Sequence, residues 1–140
     1  MKPSIGVLIA VAAIGAIWAA VNALGRIEAV RKNYASLAEA KADRLFERGW
    51  LPDVLPPSAR DIQTSNNLDL NTSEGRFSYL ASEYPIFAAR TRPAAASRLA
   101  SEKLSKGFTV RELSESESTW LFFCKPELGY CEYVLRTTRG

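Results

Sequence analysis

The apolar positions of this chain fall into three regimes. From Ile5 to Leu24 they are almost continuous: IGVLIAVAAIGAIWAAVNAL holds no charge and one strongly polar side chain, Asn22. A helix of that length rises about 30 Å, the hydrocarbon thickness of a bilayer. Nothing else in so short a chain could cover all its faces, so the pattern predicts a membrane-spanning helix. From Arg26 to Arg48 the apolar residues thin out. Ile27, Val30, Tyr34, Leu37 and Leu45 recur at helical spacing, and Glu28 stands four residues before Lys32. Gly49 supplies a stop, with Pro52 close behind. The expectation is a long rod, the span continuing into an amphipathic helix.

The third regime begins with GWLPDVLPPSARDI, residues 49–62. Pro52, Pro56 and Pro57 exclude regular helix, while Trp50, Leu51, Val54, Leu55 and Ile62 are too apolar for a free linker. A strap packed across a domain is expected. A weak strand over Ile62–Leu70, a turn over Asn71–Gly75 and a strand in RFSYLAS follow. The sequon at Asn71 reads as part of that turn. AAASRLASEKLSK predicts a helix over residues 94–106, ended by Gly107, and FTVREL a strand over 108–113. SESES turns the chain into a last hairpin, STWLFFC and CEYVLRT around KPELGY. If Cys124 opposes Cys131, then Phe122 opposes Tyr133 and Trp120 opposes Leu135. All six then share one face.

The fold class predicted is therefore α+β: an N-terminal transmembrane helix continuing into a long amphipathic helix, then a small antiparallel sheet with one helix packed on it. The domains are an anchor over 1–25, a juxtamembrane amphipathic helix over 26–49 and a small extracytoplasmic α+β domain over 50–140.

Composition removes function classes more than it adds them. The chain has 140 residues, 24% of them charged, with a net charge of +3. Lys2 is the only charge before residue 25, so the remainder is close to neutral and offers no surface for nucleic acid. Histidine is absent, which removes the commonest general base and metal ligand. No phosphate loop, G-x-S-x-G or C-x-x-C occurs. Neither metal nor cofactor is expected. Asp61 with Asp69, and Glu115 with Glu117, are the available carboxylate pairs, and both read as solvated loop acids. We expect no enzyme. The candidate binding residues are Trp50 in the strap, with Arg90, Arg92 and Arg98 as a small basic patch for phosphate or headgroups.

Cys124 and Cys131 bear on compartment. Directly opposed cysteines lie within reach of a disulfide, and a closed loop of this size would stabilise the domain by roughly 2.5 kcal/mol. The competing reading is a pair of buried reduced thiols, as in cytosolic proteins. Charge flanking the span points to the cytoplasm, since Arg26, Arg31, Lys32, Lys41 and Arg44 follow it and Lys2 alone precedes it. The disulfide reading, which we favour, points to export. A cleaved signal with VNA before the cut competes with an uncleaved anchor, and the length of the apolar run favours the anchor. Ala12, Ala16 and Ala20 form a small-residue face on which span helices could approach each other.

WLPDVLPPSARDI, followed by NNLDLNTSEGRFSY, resembles a family of small bacterial envelope proteins with an N-terminal anchor and a W-L-P-x-x-L-P-x-S-A-x-x-I strap. That resemblance covers residues 49–80 and implies an extracytoplasmic domain in bacteria, with no activity attached. The overall plan is also similar to type IV pilins and pseudopilins, although the span lacks an acidic residue near its start and no processing site precedes it. The expectation is a single-pass protein of the bacterial inner membrane. It contacts the bilayer through residues 5–24, and its periplasmic domain docks another envelope protein or a second copy. A minor pilin-like structural subunit is the alternative.

Overall fold

A computed structural model describes residues 29–137 of the chain. The predicted membrane helix over residues 5–24 lies outside them. Among the described residues no helix is long and apolar enough to cross a membrane.

The described chain is built on a seven-stranded antiparallel sheet of order β1-β2-β3-β7-β6-β5-β4. Its strands are β1 (Ala29–Ser36), β2 (Arg60–Asn67), β3 (Thr72–Ser78), β4 (Arg92–Pro93), β5 (Thr109–Glu115), β6 (Ser118–Lys125) and β7 (Tyr130–Thr137). Among the described residues three short α-helices accompany it: α1 (Leu37–Ala42), α2 (Tyr84–Ala89) and α3 (Arg98–Ser105).

This overturns the predicted fold class after the span, because residues 29–49 do not form a long amphipathic helix. Residues 29–36 are an edge strand paired along its whole length with β2, Ala29 beside Asn67 and Ser36 beside Arg60. Val30, Lys32 and Tyr34 share one face of that strand, a two-residue period that the helical reading of Val30 and Tyr34 passes over. Helix begins only at α1, and its start is marked in the sequence. Ser36 caps it by accepting from the Glu39 amide at 3.2 Å, while Glu39 reaches back to the Ala35 amide at 2.8 Å. That S-x-x-E pattern opens a helix and so ends whatever precedes it. The chain then turns through Arg44 and Gly49, both at positive φ. Lys32 and Tyr34 donate to the Asp43 carboxylate at 2.8 and 2.6 Å, which fixes the turn against β1 and holds that carboxyl below its ordinary range.

The strap is present. Leu51, Leu55, Pro56 and Ala59 are buried on one face of the sheet, and the Trp120 indole donates to the Trp50 carbonyl. Beneath lie Phe77, Phe87 and Phe122, with the Phe87 and Phe122 rings edge to face at 5.0 Å. Cys124 and Cys131 are directly opposed and joined by a disulfide. Phe122 stands opposite Tyr133 and Trp120 opposite Leu135, and all six side chains are buried in this main core.

The opposite face is covered only in part. Helix α3 packs Ala100 and Leu99 over Val110, Leu121 and Phe123, forming a second, smaller cluster. A second correction follows: the sheet is larger than predicted and has covering elements on both faces. The main-core face is closed by α1, the strap and α2, and the other is closed by α3 over β5, β6 and β7 alone.

Candidate binding face

Cross-strand register places every side chain of the uncovered region. On the α3 side one rung runs Arg31, Ser65, Glu74, Val134, Leu121, Glu112, Arg92, and the next runs Asn33, Gln63, Arg76, Glu132, Phe123, Val110. Each rung is polar over β1–β3 and apolar where α3 sits. The sheet therefore carries a solvated half-face, and at the step up to α3 lies an open groove of about 490 Å³. Leu99 and Lys103 of α3, above Phe123 of β6, form one wall, with Gln63, Arg76 and Tyr130 along the floor.

The groove holds fixed charges of both signs. Lys103 lies 3.2 Å from the Glu132 carboxylate and within about 5 Å of the Phe108 and Phe123 rings. The Tyr130 hydroxyl donates to the other Glu132 oxygen at 3.0 Å. Burial, and then the neighbouring Glu132 carboxylate, push the Tyr130 phenol up, so it stays a neutral donor at physiological pH. Arg76 donates to the Gln63 side chain at 2.9 Å. Arg31 and Glu74 are exposed and make no ion pair among the described residues. Among the described residues no group of three or more His, Cys, Asp or Glu is placed to hold a metal ion. What the groove offers is hydrogen bonding and paired charge on a rigid sheet, the means of noncovalent recognition.

None of the candidate residues read from the sequence lies in this groove. Trp50 is half-buried against the main core. Arg90 closes α2 on the main-core face, whereas Arg98 opens α3 on the other, so the sheet separates them. Arg92 is engaged by Glu112 at 3.0 Å and by Ser114 at 3.3 Å. The three arginines do not assemble into one patch. A fourth, Arg111, is built into the fold by bonding Thr91 and the Ala88 and Thr91 carbonyls at 2.8–2.9 Å. The groove residues were available to sequence reading. Arg31 and Asn33, Gln63 and Ser65, Glu74 and Arg76 are the alternate positions of three strands, and they line up once β1 is taken as a strand.

A family model described as the YbbD head domain matches residues 28–78, a little over a third of the chain. The match begins at β1, takes in α1 and the strap and ends with β3, so it contains nearly all of the stretch that carries the strap resemblance. No curated protein and no solved structure matches the chain significantly.

Proposed function

We propose that this chain is a noncatalytic docking protein of the bacterial envelope. Residues 5–24 hold it in the inner membrane, and the sheet domain binds a polar segment of another envelope component. The observation that carries this reading is the half-bare sheet face, where Arg31, Arg76, Lys103, Glu74 and Glu132 border one groove. A buried disulfide supports export to the periplasm, because such bonds persist in oxidising compartments. It outweighs the basic residues after the span, which express a tendency in membrane insertion and not a rule. The strap and the YbbD head match are consistent with an envelope family.

Two measurements test the reading. When cells are quenched in acid and the protein is denatured, alkylation of Cys124 and Cys131 should require a reductant; alkylation without one would mean reduced thiols and place the domain in the cytoplasm. A photoreactive residue at Ser65, in the groove, should give a discrete adduct in cells that Arg76→Glu abolishes. The same residue at Asp53, on the strap side, should give none. Equal adducts from both positions would remove the groove from the proposal.

A further inference from the structure

We propose that the turn between β2 and β3 is a second lipid contact, its Leu68 and Leu70 resting in the headgroup region of the membrane that residues 5–24 span. This rests on the reading of those residues as an anchor. The first observation is exposure. Leu68 and Leu70 are 63% and 68% exposed, two large apolar side chains within one four-residue turn. The turn is built to hold them outward: the Asn67 side chain accepts from the Leu70 amide at 3.0 Å, and Asn71 takes a left-handed backbone that closes the turn.

The second observation is position. Ala29 pairs with Asn67, so the chain enters β1 at the end of the sheet where this turn projects. Only residues 25–28 separate the apolar run from Ala29, and an extended chain over that distance spans at most about 18 Å. The headgroup layer itself occupies roughly 5–7 Å on each side of the hydrocarbon. The turn is thus tethered within reach of the headgroup layer by its place in the sheet. Val30, partly exposed on the adjoining edge strand beside Asn66, extends the apolar surface toward it. Asp69 between the leucines keeps the tip among headgroups and out of the hydrocarbon. The acidic turn around Glu115 and Glu117 is at the same end, but three strands away on the far side of β7. Charge there favours water and tilts the β1–β3 edge toward lipid.

The test uses the full chain in nanodiscs of equal parts phosphatidylcholine and phosphatidylglycerol. A nitroxide is placed after folding at Leu70→Cys or, at the opposite end of the sheet, at Leu128→Cys, which is equally exposed at 68%. Collision with oxygen, which partitions into lipid, is compared with collision with a water-soluble nickel chelate. The expected result is a several-fold loss of nickel access at residue 70 relative to 128, reversed when Leu68→Asp is added. Equal nickel access at both positions, or shielding at residue 128 alone, would overturn the proposal. An alkaline wash reports the anchor separately. Protein that stays in the disc with a water-exposed turn refutes the turn contact alone, while protein that washes off refutes the anchor and the turn contact with it.

Discussion

Gly75 shows how closely single residues are fitted in this sheet. It lies on β3 between Thr64 and Tyr133, and a Cβ there would fall 1.9 Å from the Gln63 carbonyl oxygen and 2.9 Å from the Tyr133 ring. The nearer obstacle is backbone, which has no rotamer to escape into. Gly75→Ala should therefore cost about 3 kcal/mol or more, at the upper end of overpacking penalties, read as a lowered midpoint in urea unfolding. Tyrosines supply a second residue-scale prediction. Burial is the largest cause raising Tyr34 and Tyr79 to about 12, and it pushes Tyr133 higher still, against an ordinary value of 10.0. A raised folded pKa means that the folded state holds its protons more tightly. The stabilisation is complete below pH 10 and is lost as pH rises through about 12. Phenolate absorbance should appear in one step with loss of circular dichroism above pH 10. Gradual ionisation near 10 with the fold intact would contradict the burial of these rings.

At the scale of elements, the β6–β7 hairpin shows why some of the fold was legible and some was not. Its main-core positions are Trp120, Phe122, Cys124, Cys131, Tyr133 and Leu135; β6 is apolar on both faces, so the alternation of β7 gives the face and the opposed cysteines give the register. The turn is equally determined: Gly129 has φ 60 and its missing Cβ leaves room for the Tyr79 carbonyl. β2 has the opposite character. Its inward residues after Ile62 are Thr64 and Asn66, facing the equally buried Ser73 of β3, and buried polar side chains erase the alternation that marks a strand. Without a clear β2, β1 had no visible partner, and its helical spacing misled. The hairpin also yields a quantitative expectation. The disulfide closes a loop with a sequence separation of 7, which in the chain-entropy model stabilises the fold by about 2.5 kcal/mol. Cys124→Ala with Cys131→Ala should lose at least that much in urea unfolding. The unsubstituted chain should lose a similar amount on reduction, whereas an unchanged midpoint would mean that the bond merely decorates a core already sufficient without it.

The molecule as a whole is a sheet with unequal faces, and that asymmetry decides where it is stable and where it can bind. On one side, aromatic rings, the disulfide and the strap make a continuous core from Tyr34 to Leu135. On the other, α3 contributes Ala100 and the partly buried Leu99, while Leu104 points to solvent. The groove exists because α3 stops short of β1–β3, and no composition statistic could reveal that, since it depends on which strands end up adjacent. The same shortfall leaves α3 with little apolar burial to hold it. Beyond that cluster it is tied to the sheet by Lys103, which pairs with Glu132 and lies over the Phe123 ring, and a partly exposed ion pair of this kind is worth about 1 kcal/mol. Local opening should follow burial. Backbone amides of α3 should therefore exchange with solvent faster than those of β6 and β7, through an opening that leaves the main core closed. Glu132→Gln should speed α3 exchange further without changing exchange in β6. If α3 and β6 instead exchange together, and only on global unfolding, the two faces form one cooperative unit. The groove would then have a fixed wall, and a partner would have to fit it as it stands.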